Sequence, residues 1–81
     1  MPSHLVIGRS PDCDVVIRNA TVSRRHAEIR HEDDGWIVED LGSKNGTGVN
    51  GVPVDGAAPV HEGDFLTFGR IGLRFTPDAL G

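Results

Sequence analysis

The chain has 81 residues, a formal net charge of −4 and 37% hydrophobic residues. This length allows one domain, and the hydrophobic fraction excludes a chain that is disordered throughout. We therefore treat residues 1–81 as a single domain. A domain this small has little room for a deep catalytic cleft beside its core, so we do not expect an enzyme. The acidic balance argues against general nucleic-acid binding, which requires a basic surface.

The sequence contains no segment typical of a membrane or secreted protein. Its longest purely aliphatic runs have three residues, at 5–7 and 15–17, whereas a membrane span needs about 20. Charged residues near the start of the sequence argue against a secretory signal. The single cysteine, Cys13, cannot form an internal disulfide and is compatible with a reducing compartment. We therefore expect a cytoplasmic protein with no membrane partner.

In chain order, short apolar segments alternate with turn residues. The segments are 4–7, 14–17, 26–32, 36–38, 49–54, 65–68 and 73–75. Within 49–54, the Asn50-Gly51 pair between two valines is a strong signal for a β-hairpin. Residues 21–34 lack Gly, Pro and Asn, but their apolar positions show no helical period, so we favour a loop followed by a strand over a helix. Strands at about ten-residue spacing predict an all-β fold, an antiparallel sandwich or barrel.

Polar segments rich in Gly, Arg, Ser and Asn interrupt these strands. They are 8–10, 23–26 and 42–48, and a fourth feature, Gly63-Asp64 before the strand 65–68 with Gly69 after it, marks turns. The first three place guanidinium, ammonium and hydroxyl donors on loops, and such donors suit a phosphate. An Asn side chain is both donor and acceptor, so it can bind a peptide backbone. Each segment alone has a plainer explanation as solvated charges or turn residues.

Two other kinds of site are weaker interpretations of the same sequence. The residue types that bind metals are present: His4, Cys13, His26, His31 and His61. However, no Cys-x-x-Cys or His-x-x-x-His spacing occurs. Ser23, His26 and Asp40 are the residue types of a hydrolase triad, but their spacing does not place the imidazole on the serine, and no nucleophile elbow is present. We therefore expect no metal, no cofactor and no catalytic residue.

The order and spacing of the polar segments resemble those of the forkhead-associated (FHA) domain family. The segments that carry the resemblance are GRSPDCDV at 8–15, SRRHA at 23–27, DLGSKNGTGVNG at 40–51 and GDFLTFG at 63–69. The resemblance extends from about residue 4 to about residue 76. It implies a β-sandwich that binds phosphothreonine peptides through loops at one end, as a module of serine/threonine kinase signalling. The implied partners are phosphothreonine-containing proteins, either a serine/threonine kinase or its substrates.

The resemblance implies ligand roles for five residues. Arg9 and Ser23 look like the phosphate ligands. Arg24 looks like a second contact to the phosphate or to the peptide backbone, and Lys44 lies where the family places a residue beside the phosphate. Asn45 looks like the clamp on the peptide main chain next to the phosphothreonine.

The resemblance also implies supporting roles. Gly8 and His26 look like supports for the loops rather than ligands. Asn50 looks like a support for the loop that carries Asn45. Thr21 lies where the family often selects the residue three positions after the phosphothreonine.

The start of the sequence departs from the family pattern. Family members usually have two strands before the one that ends in Gly8-Arg9, but only three residues precede His4. A shortened variant, a fragment, or strands supplied by a partner would each explain the missing hairpin. In its absence, we expect the strand around Leu73 and Phe75 to lie at or near a sheet edge and to favour self-association. The alternative function on the same fold is a phosphate-independent module for protein interaction or assembly.

Overall fold

The predicted short strands are present along the chain. The structure is a computed structural model that describes residues 4–33 and 35–77. Strands in this part of the chain are β1 (His4–Gly8), β2 (Val15–Val16), β3 (Ala27–Glu32), β4 (Gly35–Asp40), β5 (Thr47–Val49), β6 (Val52–Pro53), β7 (Ala57–Val60), β8 (Phe65–Phe68) and β9 (Ile71–Arg74). No helix in these residues is long and apolar enough to cross a membrane.

The strands form two sheets, which confirms the predicted all-β sandwich. One sheet has five strands in the order β2-β1-β3-β4-β7, and the other has four in the order β6-β5-β8-β9. Strands β1 and β2 pair in parallel, and the remaining pairs are antiparallel. Apolar side chains from both sheets meet in one core cluster: Ile7, Val22, Ala27, Ile29, Val38, Val60, Leu66, Phe68 and Phe75.

Residues 17–26 form a loop and β3 follows it, as expected from the missing helical period. In β3, Ala27 and Ile29 are buried, whereas Glu28 and Arg30 between and after them are only half-buried. This alternation is the period of a strand with one face on the core. The loop contributes Val22 to the core and is thereby fixed against the sandwich.

The Asn50-Gly51 pair forms the predicted hairpin between β5 and β6. Val49 pairs with Val52, and both turn residues have positive φ, 51° at Asn50 and 84° at Gly51. Asparagine and glycine are the residues that adopt this backbone conformation most readily. The Asn50-Gly51 pair therefore predicted both the hairpin and its position correctly.

Strand β9 lies at the edge of the four-stranded sheet, as predicted for the strand around Leu73. Leu73 and Phe65 are exposed large apolar residues at or beside this edge, at 40% and 41% of their full accessibility. On the outer face, the Arg74 guanidinium lies 5.6 Å from the centre of the Phe65 ring. An apolar groove of about 100 Å³ opens between the sheets beside Leu73.

Candidate functional site

Four connections between strands meet at one end of the sandwich. They are the loops 9–14, 17–26 and 41–46 and the turn 69–70, which we call the loop end. The Arg9 amide donates to the Ser23 carbonyl at 3.0 Å, and the Lys44 amide donates to the Ser23 hydroxyl at 3.0 Å. The Gly69 amide donates to the Gly46 carbonyl at 3.1 Å. The fold thus brings together polar segments that are far apart in the sequence.

The Arg9 side chain is exposed and only partly engaged. Its Nε donates to the Val22 carbonyl at 3.0 Å, which fixes the direction of the guanidinium. Among residues 4–33 and 35–77, no hydrogen bond or ion pair uses its two terminal nitrogens. These nitrogens form the planar fork that binds phosphate or carboxylate in a bidentate manner.

The Ser23 hydroxyl is positioned as a donor. It accepts the Lys44 amide, so one of its acceptor sites is occupied. A hydroxyl also carries one hydrogen that it can donate. The half-buried Ser23 therefore offers an O–H at the point where loops 17–26 and 41–46 meet.

His26 joins these two loops from inside. The His26 side chain is fully buried, and its Nδ1 accepts a hydrogen bond from the Ser23 amide at 3.0 Å. Because Nδ1 is an acceptor, the ring hydrogen lies on Nε2, which donates to the Gly46 carbonyl at 2.8 Å. The ring also packs edge-on against Phe68, with 5.8 Å between ring centres. Because both ring nitrogens serve backbone groups, the Ser23-His26-Asp40 set does not form the geometry of a hydrolase triad.

Asp40 organises loop 41–46, a role that the sequence interpretation missed. Its carboxylate accepts the Gly42 and Ser43 amides at 3.1 and 3.0 Å, and it also accepts the Ser43 and Thr47 hydroxyls. Burial acts to raise the pKa of Asp40, but these hydrogen bonds outweigh it and hold the pKa below its ordinary value. The available sequence signal was Asp40 two residues before Gly42 and three before Ser43, a spacing at which an Asp side chain can bond to the backbone of a turn.

Hydrogen bonds connect Asn45 to Thr21, and Thr21 in turn to Arg70. The Asn45 Nδ2 donates to the Thr21 carbonyl at 2.8 Å. The Thr21 hydroxyl donates to Asn19 Oδ1 at 2.6 Å and accepts the Arg70 amide at 2.9 Å. Sequence reasoning identified neither Asn19 nor Arg70, because a lone Asn or Arg in a turn carries no signal of its own.

Gly8 lies where two loops pass close to β1. A Cβ at this position would overlap the Arg24 carbonyl oxygen and crowd the Cys13 sulfur. The Arg24 carbonyl accepts the Ser10 amide at 3.2 Å and the Cys13 thiol at 3.1 Å. The backbone of Arg24 is therefore fixed, while its side chain and that of Lys44 are exposed at the loop end.

Asn50 does not contact the loop that carries Asn45. Its Nδ2 donates to Asp64 at 3.1 Å, and its Oδ1 accepts the Phe65 amide at 2.9 Å. The Asn50-Gly51 turn follows β5, whereas loop 41–46 precedes it. Asn50 therefore bonds to the chain beyond the end of β5 that lies opposite loop 41–46.

Charge is distributed unevenly around the molecule. The loop end holds six of the eight cationic residues but only two of the ten acidic residues that lie within 4–33 and 35–77. These cations are Arg9, Arg18, Arg24, Arg25, Lys44 and Arg70. The cations therefore concentrate at the loop end of a molecule whose net charge is negative. In the described ranges, no three His, Cys, Asp or Glu side chains lie close enough to hold a metal ion, so the metal-binding residue types remain scattered.

Comparison with known proteins agrees with this geometry. The chain is 48% identical over 68 residues to the glycogen accumulation regulator GarA of Mycobacterium tuberculosis, and this match covers 84% of the chain but 41% of GarA. The chain thus spans less than half the length of this relative. The oxoglutarate dehydrogenase inhibitor of Corynebacterium jeikeium is 44% identical over the same length, with 46% of its chain covered.

Solved structures show the same fold. The FHA-2 domain of the Mycobacterium tuberculosis ABC transporter Rv1747 superposes with a TM-score of 0.84 at 43% identity, over 94% of this chain and 69% of that one. EmbR of the same organism, solved in complex with a low affinity phosphopeptide, superposes with a TM-score of 0.87 at 31% identity, over 91% of this chain and 20% of EmbR. The family model for the FHA domain matches residues 5–69. With its two-sheet sandwich and these matches, the chain belongs to the FHA domain family.

Proposed function

We propose that this domain recognises phosphothreonine in a protein partner and carries out no chemistry of its own. One observation carries the proposal: Ser23 joins the Arg9 and Lys44 segments, and the two terminal nitrogens of Arg9 have no partner among the described residues. The Arg9 amide donates to the Ser23 carbonyl and the Lys44 amide donates to the Ser23 hydroxyl, both at 3.0 Å. In this proposal the Arg9 fork, the Ser23 hydroxyl and the Lys44 ammonium all meet the ligand. Three donors of this kind around one spot match the three oxygens of a phosphate monoester.

Each residue of the site has a separate task in this proposal. Arg9 and Ser23 bind phosphate oxygens, Lys44 lies beside the phosphate, and Arg24 makes a further contact to the phosphate or the peptide backbone. Asn45 keeps its Oδ1 and one amide hydrogen for the peptide main chain, because the contact with Thr21 uses only its other hydrogen. Gly8 and His26 support the loops.

Phosphate dependence is the direct test. Two charge-assisted contacts, worth about 1.5–3 kcal/mol each, amount to roughly 10²–10⁴ in affinity. An oriented phosphothreonine peptide library should therefore yield binders, while the matching unphosphorylated library should yield none. A best binder whose affinity changes by less than about fivefold on removal of the phosphate would instead support the phosphate-independent alternative.

Discrimination between phosphothreonine and phosphoserine tests the threonine part of the proposal. The two ligands differ by one methyl group, which is worth about 0.8 kcal/mol on transfer and roughly 1–3 kcal/mol in a fitted pocket. We expect phosphothreonine to bind about five- to a hundredfold more tightly in isothermal titration. Equal affinities would contradict a site built for threonine.

The setting of the domain is also part of the proposal. A module of this kind acts with a serine/threonine kinase or its substrates, and we place it in the cytoplasm. The buried free thiol of Cys13 supports a reducing compartment. The relatives GarA and the oxoglutarate dehydrogenase inhibitors are named as regulators or inhibitors, which fits a recognition module rather than an enzyme.

Self-association through β9 completes the proposal. An edge strand presents unpaired N–H and C=O groups, and here Leu73 and Phe65 add exposed apolar surface beside them. We expect the molar mass from light scattering to rise with concentration, and Leu73→Lys to reduce that rise. A constant monomer mass across the concentration series would contradict it.

A further inference from the structure

We propose that Asn45 is a site of spontaneous deamidation and that this covalent change weakens phosphopeptide binding. The chain contains two Asn-Gly pairs, Asn45-Gly46 in loop 41–46 and Asn50-Gly51 between β5 and β6. Asparagine is among the thermally labile residues of proteins, and a following glycine has no side chain to obstruct the reaction. The loss of binding rests on the proposed phosphothreonine function, whereas the deamidation itself does not depend on it.

The reaction needs only water as a co-reactant. The backbone nitrogen of the glycine gives up its proton and attacks the side-chain Cγ of the asparagine, which forms a cyclic imide. The bond from Cγ to the amide nitrogen breaks, and that nitrogen leaves as ammonia with the proton restored to it. Water then opens the imide at either carbonyl, which yields aspartate or isoaspartate. Negative charge develops on the attacking nitrogen and the side-chain oxygen, so nearby charges influence the rate.

The side chain of Asn50 is protected against this attack. Its Nδ2 donates to Asp64 Oδ1 at 3.1 Å, and its Oδ1 accepts the Phe65 amide at 2.9 Å, so both amide atoms are restrained. Hydrogen bonds from the His61 amide and the Asn50 side chain hold the pKa of Asp64 below its ordinary value. Asp64 is therefore a charged carboxylate near neutral pH, and it repels the negative charge that attack on Asn50 creates.

The side chain of Asn45 has weaker restraints. It is exposed and makes one hydrogen bond among the described residues, from Nδ2 to the Thr21 carbonyl at 2.8 Å. The attacking group, the Gly46 amide, donates to the Ser43 hydroxyl at 3.0 Å. Both bonds join neutral groups, and such bonds are weaker than the bond from Asn50 to a carboxylate. They therefore open more readily.

The charges at the loop end also favour attack on Asn45. Lys44 precedes it directly, and the loop end holds six of the eight cationic residues. The Asp40 carboxylate, just before the same loop, already accepts hydrogen bonds from two amides and two hydroxyls. Cationic surroundings stabilise the negative charge of the attack, so we expect Asn45 to react at least about tenfold faster than Asn50.

Deamidation of Asn45 changes both the charge and the backbone of the site. The new carboxylate has no hydrogen to donate to the Thr21 carbonyl, and its negative charge repels an incoming phosphate. Isoaspartate also lengthens the main chain by one methylene directly before Gly46, whose carbonyl accepts His26 Nε2 at 2.8 Å. We therefore expect the affinity for a phosphothreonine peptide to fall by at least about tenfold.

The test compares the two pairs in the folded domain and in a synthetic peptide of residues 40–55, which contains both pairs without the fold. Both samples are kept in mildly alkaline buffer at physiological temperature, and fragment-ion mass spectrometry assigns each conversion to Asn45 or Asn50. The ratio of rates in the peptide corrects for the residues that flank each pair. After this correction, Asn45 should convert at least about tenfold faster than Asn50 in the folded domain.

Asp64→Asn is the matched variant, because it removes the charge beside Asn50 and leaves the loop end unchanged. It should accelerate conversion of Asn50 about three- to tenfold and change that of Asn45 by less than about twofold. Conversion of Asn50 as fast as that of Asn45 in the natural domain would overturn the inference. So would an unconverted Asn45 in the folded domain when the peptide has fully converted.

The effect on binding is measured by titration with the best phosphothreonine peptide of the library. Ion exchange separates the deamidated domain by its additional negative charge, and both this form and Asn45→Asp should bind at least about tenfold more weakly. Affinity of Asn45→Asp within about twofold of the natural domain would overturn the predicted loss of binding. Failure of the natural domain to bind any phosphopeptide would overturn the proposed function, while the two deamidation rates decide the covalent part by themselves.

Discussion

Arg9 at the loop end and Arg30 on the outer face of the five-stranded sheet are the same residue type in opposite situations. Arg30 contacts Glu28, Glu32 and Glu39, so its charge is more than neutralised within the protein. Within the part of the chain that the structure describes, the Arg9 side chain makes one hydrogen bond, from Nε to the Val22 carbonyl. That bond fixes the orientation of the guanidinium, but a carbonyl oxygen does not neutralise its positive charge. A candidate ligand arginine is therefore distinguished by terminal nitrogens that have no hydrogen-bond or ion-pair partner in the protein.

The largest expected effect comes from the residue that holds the loop end together. His26→Ala removes the partner of the Ser23 amide and of the Gly46 carbonyl and leaves a cavity, so we expect a loss of about 3–5 kcal/mol in unfolding free energy. Chemical denaturation measures this loss. His26→Gln, which can satisfy one of the two groups, should recover part of it.

His31→Ala is the control for this substitution, since His31 lies in β3 away from the loop end. Its ring is exposed and lies 4.7 Å from the Trp36 ring centre. We expect a loss below about 1 kcal/mol, the range of an aromatic pair. Equal losses for the two histidines would show that His26 is not a special connection between the loops.

The next effect is on ligand affinity. Arg9→Ala should weaken phosphothreonine peptide binding by about 10²–10³, because two charge-assisted hydrogen bonds are lost. Arg9→Lys should recover only part, since lysine keeps the charge but not the fork. Arg30→Ala should leave affinity within about twofold, since its charge is already matched. If Arg9→Ala unfolds the domain, as judged by circular dichroism, Arg9 is structural and the comparison with Arg30 fails.

A moderate effect is expected at Asp40, with a distinct pH dependence. The folded pKa of Asp40 lies below its ordinary value of 3.8, so its contribution to stability is present at neutral pH. That contribution is lost as the pH falls from this value through the lower folded pKa. Asp40→Asn should lower stability by about 1–3 kcal/mol at pH 7, and the difference from the natural sequence should narrow below about pH 4.

Glu62→Gln serves as the control for Asp40→Asn, because Glu62 is an exposed turn residue. Its effect on stability should stay within about 0.5 kcal/mol. Thermal unfolding at several pH values gives both curves. A stability difference for Asp40→Asn that stays constant down to pH 2 would contradict the role assigned to the carboxylate.

The smallest expected effect is the loss of unfolding free energy caused by Arg30→Ala. Its ion pairs lie at the surface, where such pairs contribute little to stability. The removal also leaves three glutamates close together, so the loss should decrease at 1 M salt. A large loss that salt does not change would mean that Arg30 acts through packing of its stem rather than through charge.

Local patterns predicted much of the fold. The alternation of apolar and polar residues in 26–32 predicted a strand rather than a helix, and the Asn50-Gly51 pair predicted the hairpin. Both predictions were possible because each signal depends only on a few neighbouring residues. The positive patch was also predictable, since six cations fall in connections that the strand pattern separates. The ligand roles of Arg9, Ser23, Arg24, Lys44 and Asn45 were carried over by family resemblance and await the binding experiments.

Contacts between distant residues could not be predicted in the same way. The Arg70 amide and the Thr21 hydroxyl are 49 residues apart, so their contact depends on how the two sheets are stacked. Asn50 illustrates the same limit, since its motif position suggested loop 41–46 but its side chain bonds to Asp64 and Phe65. The multiple bonds of Asp40 required the actual path of loop 41–46.

The uneven distribution of charge has a consequence for the encounter with a partner. Because six of the eight cationic residues lie at one pole of a molecule with a net charge of −4, we expect an approaching phosphorylated segment to be turned toward that pole before it makes contact. We expect the same distribution of charge to disfavour encounters in which the phosphate meets the more acidic surfaces. Selectivity in this domain therefore begins with electrostatic orientation in solution, ahead of the hydrogen bonds that complete it.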